Sequence, residues 1–232
     1  MAEGCGAERV EVLGVLAKWP QPGRVKTRLA AGTSPEWAAA VAAALLRDSL
    51  ERWSAVSARR VLVYAPRESQ AAFAELAAGR FALVPQVEGD LGERMAAFFR
   101  DQFAAGARAV ILLGTDSPTL PVDLVRDSFA LLRKADVVLG PATDGGYYLV
   151  GCRRMPPIFE GVTWGSSDVL RQTVTRLGPD WRLAVLPPWY DVDTWDDWRL
   201  LRGHVAALRR AGIEPGLRHL DQVGEPPCWP CS

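Results

Sequence analysis

A chain of 232 residues with 49% hydrophobic content can bury a full core and suits one large domain better than two small ones. Lys plus Arg and Asp plus Glu number 27 each, so the formal net charge is zero, which argues against nucleic acid as a bulk partner while allowing a local basic loop. The four cysteines, Cys5, Cys152, Cys228 and Cys231, are too few and too scattered for a disulfide scaffold. The N-terminus lacks the basic-then-apolar pattern of a signal peptide. The Ala-rich run 37–46 meets Arg47 and Asp48 too soon to span a membrane. The expectation is a soluble, cytoplasmic protein that binds no membrane.

The chain then alternates strand and helix. An apolar strand over 10–16 runs into a loop, 17–28, that reads A-K-W-P-Q-P-G-R-V-K-T-R. Lys18, Arg24, Lys26 and Arg28 crowd this loop, Pro20 and Pro22 constrain it, and Gly23 lets backbone amides approach a ligand. That composition suits a pyrophosphate or triphosphate; the alternative is a solvated basic loop. Ser34-Pro35 opens a helix to about Trp53, with Ser34 as cap and Pro35 as first residue. A strand over 60–64, a helix over 67–78 and a short strand over 81–84 follow. After the loop 85–90 a helix runs to about Ala104, for which Asp90 and Glu93 have capping-box spacing. Gln86 can pair with a base edge through donor and acceptor together, and Gly89 and Gly92 permit close approach.

The buried run 108–113 stops at G-T-D-S-P-T-L-P, which holds one acid, Asp116. In an open α/β sheet ligands bind outside the carboxyl ends of the strands, so Asp116, with Ser117 beside it, is placed to meet a divalent cation carrying phosphates. Equally, an Asp there can simply cap its own turn. Pro121 suits the first position of a helix over 122–132. A strand over 136–139 leads to P-A-T-D-G-G-Y-Y-L-V-G, where Asp144, flanked by Gly145 and Gly146, stands at another loop of the same rim. Tyr147 and Tyr148 enter a strand pattern in which one ring can be core. In F-E-G-V-T-W-G-S-S-D, Trp164 offers an apolar wall, and Ser166 or Ser167 can cap a helix over about 168–177. D-V-D-T-W-D-D-W then places Asp191 and Asp193 before a helix that Thr194 caps, with Asp196 and Asp197 in its first turn. This is the alternation of a single α/β domain with a mostly parallel sheet and helices on both faces. Its expected bounds are 10–212, between a tail of 1–9 and a Pro-rich tail of 213–232, whose Cys228 and Cys231 read as a terminus rather than a zinc or redox pair. His204 and His219 lie late in the chain, and no Ser-His-Asp arrangement or G-x-G-x-x-G emerges.

Together K-x-P-x-x-G-x-x-K-T-R-L, G-T-D-S-P, D-G-G-Y-Y-L-V-G and D-V-D-T-W-D-D-W resemble a bacterial family of glycosyltransferases of arsenosugar-biosynthesis type, within the nucleotide-diphospho-sugar transferase superfamily and its Rossmann-like GT-A fold. The cationic loop is also similar to that of phospholactate guanylyltransferase and of molybdopterin nucleotidyltransferases. The resemblance implies that Lys18, Gly23, Lys26 and Arg28 wrap phosphates, and that Gln86 and Gly92 lie near the base. Asp116 falls on the metal position of D-x-D, where this chain has D-S-P; Asp193, by likeness to a D-T-P-E-D-L element, supplies a second ligand for Mg2+ or Mn2+. Asp144, Gly145, Gly146, Tyr147 and Trp164 fall on the acceptor or sugar side, Asp144 as a base or a ligand for a hydroxyl. The partners implied are a nucleotide or nucleotide-sugar donor and a small-molecule acceptor, with homodimer formation left open.

Three functions follow. Metal-dependent sugar transfer is favoured by the whole-chain resemblance. Nucleotidylyl transfer is favoured by the cationic loop, since three phosphates need more positive charge than two, with Asp116, Asp144 and Lys26 as the reacting set in either case. A nucleotide-binding protein without catalysis is suggested by the missing second acid of D-x-D.

Overall fold

Alternating apolar side chains along the central strands set the layers of this computed structural model, which describes residues 10–226. In β1 (Glu11–Lys18), Leu13, Val15 and Ala17 enter one core while Val12 enters the other. β2 (Arg59–Ala65) sends Leu62 and Tyr64 one way and Val61 and Val63 the other; β4 (Ala109–Leu113) divides Ile111 and Leu113 from Val110 and Leu112. Strands lined on both faces by such side chains must be covered on both faces. After the short α1 (Thr27–Ala30), one layer holds α2 (Pro35–Trp53), α3 (Gln70–Ala77) and α5 (Val122–Leu131), and the other holds α4 (Leu91–Ala104) with its Met95, Phe98 and Phe99.

With β3 (Ala82–Pro85), β5 (Val137–Pro141), β6 (Tyr147–Cys152) and β7 (Leu183–Val185), the seven strands run in the order β3-β2-β1-β4-β6-β5-β7. Only β6 is antiparallel to its neighbours, β4 and β5. The mostly parallel α/β sheet expected from the sequence is therefore present. β7 has no counterpart in the sequence reading, because three half-covered residues present no periodicity to detect.

Local chemistry explains most boundaries. Ser34 Oγ accepts the Trp37 amide at 3.1 Å, and Pro35 is the first helical residue. Asp90 and Glu93 form the expected capping box, as do Thr194 and Asp197 at the start of α7 (Trp195–Arg210). Two expectations need correction. Pro121 is not the first helical residue of α5 but the extended residue before it, with ψ 137°. Neither Ser166 nor Ser167 caps α6 (Val169–Thr175): the boundary residue is Asp168, without a capping bond, and the Ser166 hydroxyl turns back to the Thr163 carbonyl at 2.8 Å.

A third apolar cluster lies beyond the sheet. Leu29, Trp37, Val41 and Leu45 pack with Trp198 and Leu201 of α7 and with Leu217 and Leu220. The sequence reading ends the domain at 212, yet the described residues beyond it lie along α2. Trp37 donates to the Gly224 carbonyl at 2.8 Å and Arg52 to the Pro215 carbonyl at 2.6 Å, while Asp48 accepts the amides of His219 and Leu220 at 2.9 and 3.0 Å. Asp48, 1% exposed, is an acid whose place in the interior is explained by those two amides, although burial holds its pKa above the ordinary range. Cys228 and Cys231 lie outside the described residues. Among the described residues no helix is long and apolar enough to cross a membrane.

Asp48→Ala removes the acceptor of two amides, and unfolding in urea should show a loss of about 2–4 kcal/mol, with faster amide exchange at 219 and 220. A loss below about 0.5 kcal/mol would mean that this carboxylate does not secure the segment.

Candidate active site

The carboxyl ends of β1 and β4 open into a cavity of about 430 Å³, and Lys26 closes one side of it. Its backbone adopts φ 46° and ψ 42°, a left-handed conformation that costs an L-residue roughly 1–2 kcal/mol. Two carboxylates hold the side chain there. The ammonium makes a very short hydrogen bond to Asp116 Oδ1 and another of 2.8 Å to Asp193 Oδ1, and Arg28 donates to Asp193 Oδ2 at 2.6 Å. Lys26 is 5% exposed at its side chain, against 45% for Asp116. Burial works against its charge, but the attraction of Asp116 and Asp193 outweighs that, and its pKa stands above the ordinary value. Burial likewise pushes Asp193 up, and Lys26 and Arg28 pull it below the usual carboxylate range.

Asp116 and Asp193 come together because the loop after β4 is fastened to the segment 189–193. The Val192 amide donates to the Asp116 carbonyl at 2.9 Å, and Ser117 Oγ makes a very short bond to Asp191. Thr119 Oγ1 donates to Tyr190 Oη at 2.8 Å and accepts from Trp189 Nε1 at 3.3 Å. Tyr190 Oη also bonds His204 Nδ1 at 2.8 Å, which gives that histidine a structural place. From beneath, α2 steadies the same loop: Ser49 Oγ donates to the Thr115 carbonyl at 3.3 Å and Arg52 to the Leu120 carbonyl at 3.0 Å.

Of the residues expected at a site, Lys18, Lys26, Gln86, Asp116, Ser117, Tyr147 and Asp193 line this one cavity. The others are placed differently. Gly23 has φ 73° and nothing crowds it, but it stands outside the lining. Arg28 is spent on Asp193. Gln86 does not offer its amide to a base: Nε2 donates to the carbonyls of Ala17 at 2.9 Å and Val63 at 3.0 Å. Gly92 is packing rather than ligand space, since a Cβ there would lie 2.3 Å from the Phe159 carbonyl and 2.5 Å from Trp164 Nε1. Trp164 is accordingly set against α4, with its ring edge-on to Tyr147 at 6.4 Å. Asp144 is exposed and caps its own turn by accepting the Gly146 amide at 2.9 Å; Gly146 is the donor in that turn. Gly145, at φ 92°, lets the turn touch the Ser167 backbone, where a Cβ would lie 2.0 Å from its carbonyl oxygen. Asp144, Gly145, Gly146 and Trp164 are thus outside the cavity lining, and Tyr147 alone of the expected acceptor group is in it.

Sequence reasoning left Asp191 without a role and gave Arg94 none. Asp191 lines the cavity, and burial, with Asp116, Asp144 and Asp193 adding repulsion, pushes its pKa up to about 7. Its place two residues before Asp193 was the available signal. Arg24, on the loop after β1, and Arg94, on α4, add cations to the lining. A hard divalent cation fits this donor set: Asp116 and Asp193 already share one cation, the Lys26 ammonium, and Asp191 stands beside them as further oxygen. A different cluster, Asp48, Glu51 and His219, gathers its ligand atoms within 4.8 Å of one another, but there Asp48 is occupied by backbone amides.

Because the folded-state pKa of Asp191 is raised from 3.8 to about 7, ionising it opposes folding, and that cost is absent below pH ~4 and complete above pH ~7. In metal-free protein Asp191→Asn should therefore gain stability relative to wild type between pH 5 and pH 8, by about 1–2 kcal/mol in denaturant titrations. A stability difference that does not change with pH would contradict the raised pKa.

The known proteins similar to this chain include transferases. The model of a family described as "Uncharacterized protein conserved in bacteria (DUF2064)" matches residues 49–166. A protein from Desulfovibrio desulfuricans G20, assigned as a nucleotide-diphospho-sugar transferase, superposes with a TM-score of 0.82 and 32% identity over 92% of this chain and 96% of its own. The 3-phospho-D-glycerate guanylyltransferase of Phenylobacterium zucineum (strain HLK1) is 36% identical over 141 residues, 57% of this chain. The chain spans 62% of that relative's length. The 4-diphosphocytidyl-2C-methyl-D-erythritol synthase of Anaerococcus prevotii DSM 20548, 11% identical over 85% of this chain and 96% of its own with a TM-score of 0.57, shares the fold. The chain belongs to the bacterial family DUF2064.

Proposed function

We propose that the protein is a divalent-metal-dependent nucleotidylyltransferase that joins a nucleoside triphosphate to a phosphorylated small molecule and releases pyrophosphate. The observation that carries this reading is the Lys26 ammonium held between Asp116 and Asp193 at the mouth of a cavity that Lys18 and Arg24 also line. A triphosphate brings more negative charge than a sugar diphosphate, and this wall is built to receive it. The guanylyltransferase relative supports the same reaction class.

In the reaction an oxygen of the acceptor phosphate attacks the α-phosphorus, and the bond from that phosphorus to the pyrophosphate oxygen breaks. Asp116 and Asp193, with Asp191 beside them, would hold a magnesium or manganese ion that neutralises charge on the phosphates and the leaving group. Lys26, beside those carboxylates, would be in reach of a phosphate oxygen, and Lys18 and Arg24 would orient the rest of the chain of phosphates. Catalysis is then mostly positioning and electrostatics, which rigidly braced side chains supply well.

Sugar transfer from a nucleotide-diphospho-sugar, with an arsenosugar-type product as its finest form, is the second reading. The whole-length likeness to the Desulfovibrio protein favours it. Against it stands the dispersal of the expected sugar group, since Asp144 and Trp164 do not line the cavity.

Incubation with magnesium or manganese, panels of triphosphates and nucleotide sugars, and mixed phosphorylated acceptors decides between the two. Acceptor-dependent pyrophosphate supports nucleotidylyl transfer; nucleoside diphosphate from a sugar donor would replace it with glycosyl transfer. Asp116→Ala should lower turnover by about 10²-fold or more with the fold retained, and unchanged turnover would remove Asp116 from the mechanism. Lys26→Ala should weaken nucleotide binding while leaving nucleoside binding unaltered, so an equal effect on both would deny its phosphate role.

A further inference from the structure

Arg94 occupies an unfavourable place for a cation. It stands one turn into α4, where the helix dipole presents its positive end. Its guanidinium is nevertheless fixed on both sides. Nε donates to the Gly89 carbonyl at 3.0 Å, and Nη1 donates to Gln86 Oε1 at 3.2 Å. Gln86 is itself immobilised, its Nε2 donating to the carbonyls of Ala17 and Val63 in β1 and β2. A chain of hydrogen bonds thus runs from the central sheet to Arg94. The second hydrogen of Nη1 and both hydrogens of Nη2 have no partner among the described residues, and Arg94 lines the cavity.

The surroundings match a flat ring better than an anion. Leu91, 41% exposed, lines the same cavity three residues before Arg94 on α4, so this wall sets an apolar side chain beside the cation. The phosphate-binding cations and the acids lie on the loop after β1, the loop after β4 and the segment 189–193. The α4 wall is left for the base of a nucleotide whose phosphates meet Lys26.

We propose that Arg94 is a specificity-determining residue that reads the nucleobase, pairing its free donors with two adjacent acceptor atoms on one base edge, as O6 and N7 of guanine present. This rests on the nucleotide-binding reading above and adds the base and the residue that selects it. Adenine pairs an acceptor N7 with a donor N6 on that edge and is rejected, because one guanidinium donor would then face another donor. Cytosine, through O2 and N3, carries the same chemistry as guanine, and the test separates the two. Gln86 acts here as a positioning residue, which explains why its amide faces the sheet rather than the cavity.

The test is calorimetric titration of the full chain, in magnesium, with GTP, CTP, ATP and inorganic tripolyphosphate. Wild type should bind GTP about ten- to a hundredfold more tightly than ATP, the scale of one bidentate arginine–base pair. Arg94→Met should bring GTP to the level of ATP and leave tripolyphosphate unchanged. Arg94→Lys, which keeps the charge without the fork, should lose the same selectivity, and it serves if the methionine variant does not fold. Tight CTP binding in place of GTP, erased by the same variants, retains the two-acceptor rule with cytosine as the base. Equal binding of GTP, CTP and ATP by wild type overturns the proposal while leaving nucleotide binding intact. An equal loss for all triphosphates and tripolyphosphate in the variants also overturns it, by making Arg94 a phosphate ligand. No binding of any triphosphate to wild type overturns the nucleotide reading and the base site with it.

Discussion

The ammonium of Lys26 between Asp116 and Asp193 is the constraint on which this site depends. Three chain segments far apart in sequence meet at that one nitrogen: the loop after the first strand, the loop after β4, and the approach to the last helix. Without a cation there, two carboxylates would face each other across a partly buried space, and their repulsion would oppose the closure of the cavity. The left-handed backbone at Lys26 fits this view, since a conformation that L-residues avoid persists only when its surroundings over-determine it. On the proposed reading the two carboxylates would hold a divalent ion and Lys26 would be in reach of a phosphate.

Around this centre the fold uses further hydrogen bonds to keep the acids in register. Bonds of Ser117, Thr119, Trp189 and Tyr190 fasten the β4 loop to the segment 189–193, while Ser49 and Arg52 hold it to α2. Arg52 also holds the Pro215 carbonyl, so the segment beyond α7 and the loop bearing Asp116 share one anchor. Burial depresses the pKa of Arg52, although Asp48 nearby counteracts it, a further sign that this guanidinium is part of the interior rather than of the surface. The third apolar cluster takes in Tyr190 and Val192 of that segment and Leu217 beyond α7, so both fastened segments also contribute to its core.

The local signals in the sequence held at three helix starts and failed at two, where Pro121 stands one residue early and Ser166 turns back to Thr163. Ser34, Asp90 and Thr194 cap the helices they precede, because a side-chain oxygen and an amide three residues on are close in any helix. Buried strands were legible from continuous β-branched and aliphatic runs. Residues whose roles depend on a distant partner read poorly. Gln86 has the donor and acceptor expected of a base reader, yet the sheet claims its donors and Arg94 takes the outward position. Gly92 is small because Trp164 and the Phe159 carbonyl press on it, a contact no spacing could reveal. Trp164 is an apolar wall, as its chemistry suggests, but of the helix packing rather than of the cavity.

The sequence by itself determined the alternation of strand and helix, the mostly parallel sheet, the strand-end position of Asp116 and the density of cations in the first loop. These follow from periodicity, turn residues and charge, which act over a few neighbours. Only the tertiary structure decided that Lys26 lies between Asp116 and Asp193, that Asp191 is half-buried beside other carboxylates, and that Asp144 caps its own turn outside the cavity. The physical reason is that the energy of a charge depends on burial and on what stands within a few ångströms of it, and both are properties of the packed chain rather than of any window along it.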